Sequence, residues 1–455
     1  MGRVMRALVA LAVALAALAP AATLARTAVP VFGAPTATAA FDDKVEFTVE
    51  LTADVAPEGV NLELWFPGAI GPFLVPVQAA VGRQTLRHAR DIATDGHLAP
   101  NTVIRSRWAA TDATGTVTRS AFASVTYADT RFSWRTLAGD VVRVHWYDGS
   151  TAFGQRALDI AQRAIEETAA LLGVVEKNAV DVFIYADTEP FRSALGPGLR
   201  ENVGGLADSG TRTLFTLLTP GEVNDPWAEI LITHELTHLV FNTAVDNPYR
   251  DPPVWLNEGL AVYQSEGYGG GDQARVNRAV DDGTLIPLSA LAGSYPRQGD
   301  RIPLAYAEGA SAVDFLVRAH GEAAMVALVR AYADGVSDDR AFTSAIGRTF
   351  ATFEQEWLAD LGAEVPARYG PQPPPRGPLP PGWTSASPAP GPTQAPGAQT
   401  AGPAPAAPRT PAPTAGPGPE AANGAGATPM VIALGVVAGL IVVGVAMAWR
   451  RRATL

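Results

Sequence analysis

The chain contains no cysteine and has only six histidines among its 455 residues. The lack of cysteine excludes disulfides, iron–sulfur clusters, thiolate zinc ligands and a cysteine nucleophile. Positive charge is also scarce, because 34 basic residues, nearly all arginine and scattered, face 45 acidic ones. Without a basic stripe, the sequence predicts no nucleic-acid partner. Any metal must therefore be held by histidine and carboxylate side chains.

Two of the six histidines lie four positions apart in the apolar run ILITHELTHLVFN, residues 230–242. The preceding Asp225, followed by proline, predicts the start of a helix. Positions i and i+4 share one helix face, so His234 and His238 can direct ring nitrogens at one zinc ion, with Glu235 at the edge of that site. Zinc lowers the pKa of a bound water to about 7, and an adjacent carboxylate can then deprotonate it. The alternative is a pair of buried histidines satisfied by other partners.

A candidate third ligand, Glu258, lies in the segment VWLNEGLAVY, and nineteen residues separate it from His238. Pro252 and Pro253 precede the segment and predict the start of a second helix. Packed against the first helix, this second helix could present Glu258 to the same metal.

The motifs HELTH and WLNEGLA resemble those of the gluzincin metallopeptidases, which carry HExxH on one helix and a glutamate ligand on the next. The sequence around Glu258 is most similar to that of the aminopeptidase N family, whereas the nineteen-residue gap between His238 and Glu258 is that of thermolysin. The resemblance covers about residues 131–363 and implies a gluzincin-like, thermolysin-like fold. It also implies zinc bound by His234, His238 and Glu258, with Glu235 as general base.

Further along, the segment LAYAEGASAVDFLVRAHG contains Tyr306 and resembles the YxKGA segment of the aminopeptidase N family. The tyrosine hydroxyl stabilises the tetrahedral intermediate in that family, so the resemblance implies the same role for Tyr306. Glu308 stands in place of the family's lysine. A core tyrosine on an amphipathic helix is the alternative interpretation.

The glutamate-containing GxMEN segment, which holds the free amine of the substrate in the aminopeptidases, has no counterpart in residues 201–215. The resemblance therefore implies peptide hydrolysis without implying aminopeptidase specificity. This strand region can still bind an extended peptide by edge addition.

Residues 30–130 carry the period-two alternation of half-buried strands. It is clearest from Lys44 to Leu51, and VNLELWF, TVIRSRWAAT and TVTRSAFASVTY predict further strands, the last two forming a hairpin around Asp112–Gly115. About a hundred residues of this kind predict a β-sandwich of immunoglobulin or fibronectin type.

The pattern changes in residues 131–365, where strands and an amphipathic helix precede a mostly helical stretch, so the fold class is α+β. The predicted strands are DVVRVHWY, AVDVFIYA and RTLFTLL, and the first helix is FGQRALDIAQRAIEETAALLG.

The two ends predict export and a membrane anchor. Residues 1–25 have the charged start, apolar core and small-residue cleavage site of a signal peptide, with an uncleaved anchor as the alternative. Residues 366–429, rich in proline, alanine and glycine, predict an extended stalk. Residues 430–449 carry no charge and predict a transmembrane helix, and the arginines of residues 450–455 predict a cytoplasmic tail. A sorting signal that is later removed is the alternative for this last segment.

Together these features predict a type I membrane protein of the cell surface, with a zinc metallopeptidase domain outside the cytoplasm and a peptide or protein as substrate. The alternative is a surface-display or adhesion protein, in which the sandwich binds a partner and the zinc domain is inert. The retained Glu235 argues against this alternative, because a purely structural zinc site needs no general base.

Overall fold

The computed structural model describes residues 29–199, 203–247, 251–296 and 299–366. Contacts within these residues divide the chain into two compact units, with the boundary between Arg131 and Phe132. The predicted signal peptide, membrane span and tail lie outside the described residues, as does the predicted stalk beyond residue 366. Across the described ranges, no helix combines the length and apolarity needed to cross a membrane.

The first unit consists of two antiparallel sheets. In the first sheet, β3 pairs with β6 along one edge and with β1 and then β2 along the other. In the second sheet the strand order is β5, β4, β7, and β8 and β9 both pair with the outer edge of β7. The strands are β1 (Val31–Phe32), β2 (Thr36–Ala40), β3 (Lys44–Ala53), β4 (Gly59–Trp65), β5 (Phe73–Val77), β6 (Gly82–Asp91), β7 (Thr102–Thr111), β8 (Val117–Arg119) and β9 (Ala123–Tyr127).

The core of this unit lies between the two sheets. On β3 the predicted alternation is confirmed, since every second residue from Val45 to Leu51 is at most 1% exposed while the residues that alternate with them are not buried. Leu62 of β4 and Trp108 of β7 belong to the same hydrophobic cluster. A two-sheet sandwich is therefore observed, and its assignment to the immunoglobulin or fibronectin type stays a prediction.

The predicted single strand TVTRSAFASVTY is wrong, because the structure divides it into β8 and β9. Ser120 causes the break: its backbone N–H donates to the carbonyl of Trp108 at 2.8 Å, and its hydroxyl accepts the Trp108 N–H at 2.9 Å. Ser120 alone thus bonds both the backbone N–H and the carbonyl of Trp108. Regular pairing with β7 therefore stops there and begins again at Ala123.

The second unit begins with a five-stranded sheet in the order β10, β11, β12, β14, β13. The strands predicted from periodicity correspond to β11, β12 and β14, which are parallel. The two edge strands are antiparallel: β10 was not predicted, and β13 lies within the strand region 201–215 that the resemblance implies. The strands are β10 (Arg135–Ala138), β11 (Val142–Trp146), β12 (Val180–Tyr185), β13 (Gly205–Asp208) and β14 (Thr213–Leu217).

Helices make up most of the rest of this unit, as predicted. The described helices are α1 (Thr151–Leu172), α2 (Thr188–Leu195), α3 (Pro226–Val245), α4 (Val254–Ser265), α5 (Gly270–Asp281), α6 (Arg301–His320), α7 (Glu322–Ala333), α8 (Asp338–Ile346) and α9 (Phe350–Asp360). Helix α1 begins at the N-cap Ser150 and ends at Gly173, whose φ of 62° is the left-handed conformation that glycine adopts without strain. Side chains of α1, α3, α4 and α6 share one core with the inner face of the sheet.

Helices α4 and α6 cross at a contact between two glycines. A Cβ at Gly259 would collide with the backbone carbonyl of Gly309, so only glycine allows this approach. Glu258 directly precedes Gly259, and Tyr306 lies one turn before Gly309 on α6. The glycine contact therefore sets the distance between two predicted site residues.

Candidate metal centre

Helix α3 carries two of the three predicted metal ligands and is buried on nearly all sides. Asp225 occupies the N-cap position and Pro226 the first turn, as predicted, although the Asp225 side chain makes no capping hydrogen bond. His234 and His238 are each 2% exposed, on a helix whose buried residues are mostly apolar. Polar ring atoms buried this deeply are costly unless they have partners, so their surroundings decide their role.

The structure brings His234, His238 and Glu258 together. Glu258 Oε2 lies 3.6 Å from Nε2 of His234 and 3.5 Å from Nε2 of His238, and all three ligand atoms lie within 4.8 Å of one another. These separations are too long for good hydrogen bonds, and none of the three atoms has another hydrogen-bond partner among the described residues.

The same distances fit a zinc ion. Four ligands at about 2.1 Å in a tetrahedron are roughly 3.4 Å apart, close to the two histidine–carboxylate separations observed here. Two imidazoles and one carboxylate also form the donor set of catalytic zinc sites, which leave one position open for water or substrate. The residues present therefore fit the metal that the sequence predicts.

Asn257 orients one of the two histidines. Its Oδ1 lies 3.0 Å from Nδ1 of His238, which leaves Nε2 of that ring facing Glu258. With Oδ1 as the acceptor, Nδ1 carries the proton and Nε2 keeps its lone pair for a metal. Asn257 and Glu258 are consecutive on α4, so this helix supplies both a candidate ligand and the residue that orients another candidate ligand.

Glu235 is 2% exposed and lies between the ligand cluster and the edge strand β13. The backbone N–H of Ala207 donates to Glu235 Oε2 at 3.1 Å. Gly205, on the same strand, leaves room for the glutamate, since a Cβ there would lie 2.9 Å from Glu235 Cγ. The edge strand β13 thus positions Glu235 by the hydrogen bond from Ala207 and by the space that Gly205 leaves for its side chain.

Burial and neighbouring charges move the pKa values of the two carboxyl groups in opposite directions. Burial raises the pKa of Glu235 to about 7, with a further rise from the charge of Glu258, against the lowering effects of His238 and of the Ala207 N–H. Burial also acts to raise the pKa of Glu258, but the charges of His238 and His234, with the polar hydrogens of His234 and Tyr306 near the carboxylate, together hold it below its usual value. Glu258 is therefore the better anionic ligand, and Glu235 the better group for exchanging a proton near neutral pH.

Tyr306 lies at the site rather than in a remote part of the core. It is 6% exposed, its ring centroid is 6.2 Å from that of His234, and its hydroxyl is near enough to the Glu258 carboxylate to lower the pKa of that group. Glu308 serves a different purpose, because it accepts the backbone N–H of Ile286 at 3.0 Å and is fully buried. The residue that replaces the family's lysine thus holds a loop and makes no described contact with the ligand cluster.

Several residues of the site were missed by the sequence analysis. Asn257 adjoins a predicted ligand, and its position in the WLNEGLA motif could have indicated it. The resemblance indicates the strand region 201–215 but not the individual roles of Gly205 and Ala207. No sequence pattern indicates Tyr295, which packs on Tyr306, because its relation to the site comes only from the fold.

A buried His-His-Glu cluster on two packed helices beside a mixed sheet, with a glutamate next to the first histidine, is typical of a metallopeptidase of the HExxH class. Residues 160–363 match the sequence model of the Peptidase MA superfamily. This match confirms the resemblance to gluzincin metallopeptidases that the two motifs predict.

Two solved structures are similar to this chain. The M1 zinc metallopeptidase from Deinococcus radiodurans has 15% identity and a TM-score of 0.36, over 76% of this chain and 96% of its own. The aminopeptidase N family protein from Idiomarina loihiensis has 11% identity and a TM-score of 0.35, over 72% of this chain and 70% of its own. No curated protein matches the chain. Because both TM-scores lie below 0.5, the assignment depends on the superfamily match and the site itself.

Proposed function

We propose that this chain is a zinc-dependent peptidase that hydrolyses peptide bonds with Glu235 as general base. The observation that carries the proposal is the convergence of three buried ligand atoms without hydrogen-bond partners, on His234, His238 and Glu258, directly beside a carboxyl group of raised pKa. A structural metal site has no use for that neighbouring carboxyl group.

Zinc held by the three ligand atoms would act as a Lewis acid and lower the pKa of a coordinated water. Glu235, held by the Ala207 N–H, is placed to take the proton of the attacking water and to give it to the leaving amine. In this proposal the Tyr306 hydroxyl donates a hydrogen bond to the carbonyl oxygen as negative charge develops there. The lowering effect of this hydroxyl on the pKa of Glu258 supports its position beside the ligand cluster.

The substrate we propose is an extended peptide segment of a protein or peptide, without a required free amine. Strand β13 pairs only with β14 among the described strands, so its other edge faces the side of Glu235. Edge strands of this kind can bind a peptide by strand addition. The missing GxMEN segment removes the group that would select an N-terminal amine, so internal peptide bonds fit the site as well as terminal ones.

We also propose that the peptidase acts outside the cytoplasm on a membrane tether, which rests on the sequence of residues 1–25 and 430–455 alone. Protease added to intact cells is expected to cut the stalk and to release a soluble fragment containing residues 132–366 with its activity. Activity that stays inside the cells after this treatment would refute the topology without affecting the chemistry.

The adhesion alternative and the peptidase proposal differ in one experiment. Full-length protein, purified in detergent, is analysed for zinc and incubated with a peptide library, beside His234→Ala, Glu258→Ala and Glu235→Gln variants. We expect one zinc per chain in the wild type and little zinc in the two ligand variants. Glu235→Gln is expected to keep zinc and to lose hydrolysis, because this residue contacts the water rather than the metal. Full hydrolysis by the Glu235 variant would refute the mechanism.

Two further variants complete this test. Glu229→Gln, on the same helix but bound to surface arginines, is the matched control for charge loss and is expected to remain active. Tyr306→Phe is expected to lower kcat by a factor of about 10² to 10³ with KM and zinc content little changed, as for the loss of one oxyanion donor. A near-normal kcat in Tyr306→Phe would remove this residue from the mechanism and leave the zinc assignment intact.

A further inference from the structure

Tyr295 lies in the segment between α5 and α6 and packs directly on Tyr306. The two ring centroids are 4.9 Å apart and the ring planes meet at 86°, which is the edge-to-face arrangement that aromatic pairs prefer. Tyr295 is 7% exposed, so its ring is surrounded by side chains of the core and has little contact with solvent. Tyr306 is thus in contact with a fixed aromatic surface on the side of Tyr295.

The hydroxyl end of Tyr295 occupies a notch at the crossing of α4 and α6. A Cβ at Gly309 would lie 2.6 Å from the Tyr295 hydroxyl and 3.0 Å from the carbonyl oxygen of Trp255. Trp255 lies three residues before Glu258 on α4. Tyr295 therefore reaches across α6 toward the turn that carries the glutamate ligand, and only a glycine at position 309 leaves room for it.

No described residue hydrogen-bonds the hydroxyl of Tyr295. An unpaired hydroxyl lowers the stability of a folded protein, so hydrogen bonding does not explain why this side chain is buried here. Burial and the nearby charges of Glu258 and Glu308 raise the pKa of Tyr295 well above its usual value, so the phenol stays neutral. Tyr295 therefore contributes a neutral aromatic ring in a fixed position.

Tyr306 needs a fixed ring beside it, because its hydroxyl must lie within hydrogen-bond distance of one atom, the carbonyl oxygen of the substrate. Two side-chain torsions place that hydroxyl, and a change of either torsion moves it away from Glu258 and from the bond to be cleaved. The Tyr306 hydroxyl lies near the Glu258 carboxylate, a polar neighbour that it leaves when the phenol donates to a substrate. The contact with Tyr295 does not depend on the hydroxyl and persists through that exchange.

We infer that Tyr295 is a positioning residue of the peptidase site, whose ring holds the phenol of Tyr306 in its working orientation. This inference rests on the proposed function and deepens it. Tyr295 touches neither substrate nor metal in this role and acts only through Tyr306. The ring is the essential part, so phenylalanine at position 295 should serve nearly as well as tyrosine, and an aliphatic side chain should not.

The test is a double-mutant cycle on the full-length zinc-loaded protein. Tyr295→Leu is expected to lower kcat on the order of tenfold with KM and zinc content unchanged, and Tyr295→Phe to stay within about twofold of wild type. In a Tyr306→Phe background, Tyr295→Leu should cause no further loss, because the hydroxyl that it positions is gone. Tyr295→Met replaces the leucine variant if that variant does not fold. Tyr332→Leu, which removes another buried tyrosine ring from α7, is the control for a general loss of packing.

A second readout does not require activity. In protein labelled with ¹³C at the tyrosine Cζ, the signal of Tyr306 is identified by its disappearance in Tyr306→Phe. It is expected to shift or broaden in Tyr295→Leu and to stay in place in Tyr295→Phe and Tyr332→Leu. An unchanged signal in the leucine variant would overturn the inference, and so would kcat losses that multiply in the double mutant. If the wild type hydrolyses no peptide, the proposed function fails and the labelled signal alone decides the role of Tyr295.

Discussion

Replacement of Glu308 by glutamine should make the protein more stable at neutral and alkaline pH. Glu308 is fully buried on α6, and its two carboxyl oxygens accept the same backbone N–H, that of Ile286, at 3.0 and 3.2 Å. Burial raises its pKa from 4.5 to about 8, although the Ile286 N–H and the charge of Arg301 act in the opposite direction. The folded protein therefore holds this group protonated under conditions in which the unfolded chain has lost the proton.

The sign follows from this difference in bound protons. Between pH 4.5 and about 8 the folded state binds more protons than the unfolded state, so the free energy of unfolding falls as pH rises. The contribution of Glu308 is fully present below pH 4.5 and is lost by about pH 8. At 1.36 kcal/mol per pH unit, the loss approaches an upper limit of about 5 kcal/mol over this range. Glutamine is neutral at every pH and keeps an acceptor for Ile286, so Glu308→Gln should lack this loss.

Urea unfolding of the wild type and of Glu308→Gln, measured at pH 5, 6, 7 and 8, gives the difference directly. We expect similar stabilities near pH 5 and a growing advantage for the variant, by about 1 kcal/mol per pH unit, up to pH 8. All other titrating groups are common to both proteins and cancel in the difference. Parallel curves for the two proteins would show that Glu308 is ionised in the folded state and would refute the reasoning.

Three substitutions at the contacts around the site should separate metal binding from proton transfer. Gly259→Ala forces a methyl group against the backbone of α6, and we expect lower stability by a few kcal/mol and weaker zinc binding, since the adjacent ligand on α4 must move. Gly205→Ala presses instead on Glu235, so kcat should fall while zinc content is retained. Asn257→Ala removes the hydrogen bond to the second ligand histidine and should weaken zinc binding by a factor of about 10 to 100.

Each of these variants has a control and an outcome that contradicts it. Gly59→Ala, in the open part of β4, should change neither zinc content nor rate, because a Cβ there meets nothing within 4 Å. Zinc titration with a competing chelator, thermal unfolding and peptide hydrolysis are measured for all of them. Unchanged zinc affinity in Gly259→Ala or Asn257→Ala would contradict the proposed ligand geometry, and loss of zinc in Gly205→Ala would show that β13 supports the ligands rather than the base.

The sequence by itself determined the parts of the site that follow from local periodicity. Four-residue spacing on a helix places His234 and His238 on one face, whatever surrounds them. The two prolines before Glu258 indicate a helix start within a residue of the observed one, at Val254. Likewise the alternation along β3 predicts which of its residues are buried, because strand geometry repeats every two residues.

Tertiary structure decided everything that depends on residues distant in the chain. Strand β13 reaches Glu235 across 28 positions, Glu308 reaches Ile286 across 22, and Tyr295 meets Tyr306 only because α6 packs against α4. Ser120 likewise divides a strand that looks continuous in the sequence, because it bonds to Trp108 on the neighbouring strand. Periodicity reports which face of an element is buried but not which element covers it, since that depends on the packing of the whole domain. The candidate metal ligands could therefore be predicted from the sequence, whereas the contacts that hold the proposed base and the proposed phenol in place could not.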